Sequence, residues 1–223
     1  MSWSALPCAN LLSHAPTTCF CATMLSLDHI AITAPDLATG VAHTEAQLGM
    51  TLGPGGEHPD MGTHNRLLSL GPDFYMEVIS IDPNAPAPAR TRWFDLDSGP
   101  VAPSLSHWIC RTPDLPAALA QAPAGTGTPL SLSRAHLRWQ MAVPDTGRLP
   151  FDDAHPALIS WQSAPPVLPD NGARLAELII THPQADALAA QLALNDPRVR
   201  FETGPAKALR AIIDTPNGQR VLQ

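Results

Sequence analysis

The sequence predicts an α+β fold made of repeated βαβββ modules that form a curled mixed sheet, with a third, partial module at the C-terminus. Two observations carry this. An apolar run that ends at proline and leads into a helical stretch occurs three times, over residues 27–35, 105–113 and 175–183. Equivalent positions in the three copies, His29, His107 and Glu177, lie about 70 to 80 residues apart, room for a strand, a helix and two or three further strands.

In the first copy Pro35-Asp36-Leu37 opens a helix carrying Leu37, Val41, Ala42 and Leu48, and Gly49 closes it. A Gly/Pro-rich turn at 53–56, a strand over 63–70, a turn at 71–73 and a strand over 74–81 complete the module. The second copy places Leu115, Ala118, Leu119 and Ala122 on a helix before Pro123, with strands over 129–133, 136–143 and 157–162. In the third, Leu188, Leu192 and Leu194 mark the helix, followed by strands over 199–203, 208–214 and 220–222. The modules therefore span about 25–100, 101–165 and 172–223. Residues 1–24 carry almost no periodicity and read as a disordered N-terminal extension.

Composition narrows the function. Thirteen basic residues, only one of them lysine (Lys207), face 20 acidic ones, for a net charge of −7. With no basic stripe, neither nucleic acid nor an anionic membrane is an expected partner. No apolar run reaches the ~20 residues of a membrane helix. Three of the four cysteines crowd into the first 21 residues and the fourth, Cys110, falls in a strand. That is no disulfide framework, and it predicts a reducing, cytoplasmic setting. Twenty-five prolines sit singly between apolar runs and punctuate short elements. Serine-hydrolase elbows, zinc-protease helices, P-loops and dinucleotide fingerprints are all missing.

Several segments together resemble the vicinal oxygen chelate superfamily, and within it the glyoxalase-like domain family, over residues 25–223. They are LDHIAI with His29, GTHNRLLSLG at 62–71, FYMEVI with Glu77, RWFDLD at 92–97 and DTPNG at 214–218. The resemblance implies a divalent metal held by His29 and Glu77. The repeat adds His107, and two imidazoles with one carboxylate suit Zn, Fe, Mn or Ni with positions open for a bidentate oxygen substrate. Two departures stand out: the strand over 157–162 has no acid, and neither does the terminal segment 218–222. Glu177, in register with the two histidines, could supply the missing carboxylate, and either Glu77 or Glu177 would act as proton acceptor.

Around these, His64 and Asn65 are candidates to touch substrate, His64 as a further ligand or proton carrier. Tyr75, Trp93, Phe94 and Trp161 are candidates to wall an apolar pocket, against the plainer reading of core aromatics. Asp95, Asp97, Asp152 and Asp153 read as solvated loop charges. Two functions follow from different classes. One is a metal-dependent lyase, isomerase or dioxygenase acting on a small oxygen-rich substrate. The other is a metal-free protein that binds or sequesters a small molecule, in the manner of bleomycin resistance proteins. Modules of this type pair within one chain or across a homodimer, and both arrangements stay open.

Overall fold

The computed structural model describes residues 24–223. Residues 1–23 of the expected N-terminal extension, with Cys8, Cys19 and Cys21, lie outside them. The first module runs β1 (Ser26–Thr33), α1 (Leu37–Leu48), β2 (Gly53–His58), β3 (Thr63–Ser69) and β4 (Tyr75–Ile81). Asp36 caps α1 by accepting from the Thr39 amide at 2.8 Å, and left-handed Gly49 ends it by donating to the Glu45 carbonyl. The second module repeats the order with β5 (Ser104–Arg111), α2 (Leu115–Gln121), β6 (Thr128–Arg134), β7 (Leu137–Val143) and β8 (Ala157–Trp161).

Both modules are wired alike: β1 pairs parallel with β4, and β5 pairs parallel with β8. Antiparallel pairing of β1 with β5 joins them into one eight-stranded sheet of order β2-β3-β4-β1-β5-β8-β7-β6. The curl brings the two edge strands near one another, and the Arg134 side chain at the end of β6 fills the space beside Gly56 on β2.

The third unit, β9 (Arg174–His182), α3 (Ala185–Gln191), β10 (Val199–Thr203), β11 (Ala208–Thr215) and β12 (Gly218–Leu222), forms a separate sheet of order β10-β9-β11-β12. It opens like the other two, but β10 pairs directly and parallel with β9, so its wiring differs from a shortened βαβββ unit. It covers the convex side of the main sheet. Leu178, Ile180, Ala211 and Ile213 share one buried cluster with Ile30, Met76, Trp108 and the helices. Lys207 on its β10–β11 loop donates from Nζ to the Ser106 carbonyl of β5 at 2.6 Å.

A second buried cluster fills the concave side: Ala31, Ile79, Ile109, Met141 and Ile159 from the strands, and Met61, Trp93, Phe94 and Leu96 from loops folded into the cup. Segment 53–56, expected as a turn, instead begins β2. Glycine lets that strand approach its neighbour very closely, since a Cβ on Gly55 would lie 1.9 Å from the Asn65 carbonyl oxygen. Among the described residues no helix is long and apolar enough to cross a membrane.

Candidate active site

The site begins with an irregularity in β1. The pairing of β1 with β5 slips between Leu27 and His29, leaving Asp28 as an extra residue. A bulge re-aims side chains, and here consecutive residues enter one buried network. Asp28, 1% exposed, lies with Oδ1 2.6 Å from His29 Nδ1 and accepts at Oδ2 from the Trp161 indole at 2.9 Å. On the other side of the ring, His29 Nε2 lies 3.5 Å from Glu77 Oε1 of β4. Burial alone would drive the imidazole toward neutrality, but the Asp28 and Glu77 carboxylates outweigh it and raise its pKa to about 9. Burial likewise works against the Glu77 charge. The facing His29, with Asn65, overcomes it and holds the Glu77 pKa below the ordinary value.

The carboxylate of Glu77 is fixed from its far side. Asn65 of β3 donates from Nδ2 to Oε2 at 2.7 Å, and the Asn65 Oδ1 accepts from the Gly56 amide at 2.9 Å. Arg134 crosses the seam between the modules. Its Nη1 lies 3.3 Å from Asn65 Oδ1 and donates to His58 Nε2 at 3.0 Å. His58 therefore accepts at Nε2 and donates at Nδ1 to Thr63 Oγ1. Burial, helped by the Arg134 charge, lowers its pKa to about 4, so it is neutral at pH 7.

These groups surround a chamber of about 40 Å³ walled by Trp93, Phe94, Trp139, Met141 and Ile159. Tyr75 stacks on His29 with ring centroids 4.6 Å apart, and burial with the nearby carboxylates keeps its hydroxyl protonated. Beyond Tyr75 and Trp161, which line both spaces, an open cleft of about 510 Å³ runs along Asp28, Phe74, Arg111 and the segment 164–168.

Of the residues expected from sequence, the chamber gathers His29, Glu77, Asn65, Tyr75, Trp93, Phe94 and Trp161. His107 is not among them. Antiparallel pairing sets it opposite Ala31, while His29 faces Ile109, so the two histidines are offset by two residues along the paired strands. His107 stacks on Phe94 at 4.9 Å and sits 3.7 Å from Asp153 Oδ1. Asp153, expected as a solvated loop charge, is instead buried there, accepting the Leu149 amide at 2.6 Å. His64 points to the other face of β3, with Nε2 3.0 Å from Ser80 Oγ. Glu177 lies on β9 of the separate sheet, where Arg200 Nε donates to its Oε1 at 2.7 Å. Sequence reasoning missed Asp28, His58 and Arg134. Asp28 adjoins His29 in the DH pair, so its signal was there. Arg134, in another module, had none.

The family model described as a glyoxalase-like domain matches residues 27–194. The chain belongs to the glyoxalase-like domain family. No curated protein matches it. Among solved structures, a hypothetical protein from Staphylococcus aureus is similar at 16% identity and TM-score 0.53, with 82% of this chain and 88% of that chain covered. Two methylmalonyl-CoA epimerases also match. That of Streptomyces coelicolor does so at 16% identity and TM-score 0.40, covering 66% of this chain and 99% of its own. That of Mycobacterium tuberculosis does so at 21% identity and TM-score 0.37, covering 68% and 95%. What is shared with the staphylococcal protein is the fold.

The superfamily resemblance implies a divalent metal, and the donors of this glyoxalase-like domain can be weighed against one. His29 and Glu77 are two ligands. A third is lacking, because His107 lies elsewhere and the His58 Nε2 lone pair accepts from Arg134. Among the described residues no group of three His, Cys, Asp or Glu side chains is arranged to hold a metal ion. The Arg134 guanidinium, a fixed positive charge, also lines the same chamber and disfavours a cation there. The residues do not fit a metal.

Proposed function

We propose that this glyoxalase-like protein is a metal-independent proton-transfer enzyme acting on a small substrate with a carbonyl or carboxylate oxygen. One observation carries the reading. A cationic imidazole and a carboxylate face each other 3.5 Å apart, both buried in the wall of the chamber and each held from behind by a further polar group. Neighbouring titratable groups whose environments push their pKa values apart are a recurring acid and base pair.

A carbonyl oxygen entering the chamber takes the His29 Nε2–H. Glu77 then loses the partner that holds its pKa down and becomes a stronger base. Its Oε1 accepts a proton from the carbon next to the carbonyl, and the electron pair moves onto the oxygen, where the His29 N–H stabilises the charge. Return of the proton to the same or another carbon regenerates Glu77 and gives exchange, epimerisation or isomerisation. Asn65 keeps Glu77 Oε1 directed at the reacting carbon, and Asp28 holds the His29 ring and its proton in place.

The test is deuterium incorporation from D2O into 2-oxo carboxylic acids and dicarbonyl compounds, followed by NMR, with chelator-treated protein. Exchange that survives chelation and falls at least ~100-fold in Glu77→Gln supports the reading. Exchange that vanishes on chelation and returns with a metal would refute it, as would absence of exchange. The aromatic walls, Trp93, Phe94, Trp139 and Trp161, favour a second reading, in which the protein binds an apolar molecule without converting it. Saturable binding without exchange is the result that reading expects.

A further inference from the structure

We infer that the outer cleft seats an unbranched apolar tail, so that the substrate has two parts: a compact oxygen-bearing head in the chamber and a hydrocarbon body outside it. This rests on the chamber being the reacting site. At about 40 Å³ the chamber takes only a few heavy atoms, whereas the adjoining cleft of about 510 Å³ lies in the range of a small-molecule site. Tyr75 and Trp161 line both spaces, so a ligand with its head at Glu77 and its remainder in the cleft would lie against these two rings.

The cleft wall selects what that remainder is. Of its charged groups, Asp28 is held by His29 and Trp161, Arg111 donates from Nη1 to the Asp73 carbonyl at 3.0 Å, and the Asp73 carboxylate is exposed and disfavours an anionic body. Pro72, Pro113, Pro165 and Pro166 contribute wall without a backbone N–H. Four large apolar side chains are strongly exposed among the described residues, and two of them, Met24 at 56% and Val167 at 92%, belong to this cleft. Methylenes lying along these apolar side chains would cover surface that otherwise faces water.

The experiment is a calorimetric titration of the full chain with straight-chain 2-oxo acids from pyruvate to 2-oxodecanoate. Affinity should rise about fourfold per added methylene until the cleft is filled. In Ser26→Trp, which places an indole in the cleft from the exposed start of β1, that rise should disappear while pyruvate affinity stays within twofold. Val167→Asp, at a solvent-facing side chain that cannot disturb folding, should weaken the longest acid about tenfold and leave pyruvate alone. Affinity independent of chain length, or a rise that persists in both variants, overturns the inference. Binding in Glu77→Gln separates the two readings. A chain-length rise without exchange in the wild type removes only the catalytic reading, exchange with flat affinities removes only the tail, and no binding by any acid removes both.

Discussion

His29 keeps its proton to high pH because Asp28 and Glu77 outweigh burial, and this makes stability depend on pH in a defined direction. Its folded pKa of about 9 stands above the unfolded value of 6.5, so its contribution is complete below pH 6.5 and is lost as pH rises through 9. The size is on the order of 3 kcal/mol. His58 and His155 act in the opposite sense. Burial depresses each to about 4, so their contribution is present above pH 6.5 and is lost as pH falls toward 4. Urea midpoints measured from pH 4 to pH 10 should therefore crest near pH 6 to 7. Asp28→Asn should flatten the alkaline limb and leave the acid limb in place. An alkaline limb unchanged in that variant would show that the aspartate does not hold the charge.

At the level of single elements, β2 positions chemistry it does not itself carry. The backbone at Gly55 presses against Asn65, whose amide orients Glu77, and any Cβ there meets the Asn65 carbonyl. Gly55→Ala should push β2 outward, lower the melting temperature by several degrees and reduce proton exchange more than tenfold. A variant with wild-type exchange would show that Asn65 does not need this contact. The strand was hidden because glycine and proline runs ordinarily mark turns, and here the same residues permit a close strand pair. Helices were legible, since Asp36 and Gly49 bracket α1 with cap chemistry that depends only on local sequence. His29, Glu77 and Asn65 were legible from motif and alternation. The partnership of His29 with His107 was not, because it turns on strand direction. In an antiparallel pair, equivalent positions of a duplicated strand run apart, and here each histidine faces a residue two places from the other, about 7 Å along the strand.

Across the whole molecule, two sheets share one buried cluster in which Leu178, Ile180 and Ile213 pack with Met76 and Trp108. A core so divided should not come apart in stages. Far-ultraviolet circular dichroism and tryptophan fluorescence should report coincident urea transitions, with the β9–β12 sheet lost together with the larger one. Separate midpoints would mean that the third unit is an independent attachment. The repeat read from sequence located all three units, but the wiring of the last one and the reach of Arg134 across the seam depend on how units pack, which no single segment encodes.

The joint at Lys207 has a practical side. The chain has one lysine, and that lysine is half-buried, its ammonium held on a carbonyl of β5. The single side-chain amine that an acylating reagent can label therefore sits at the contact between the two sheets, and acylation there removes the charge that holds this contact.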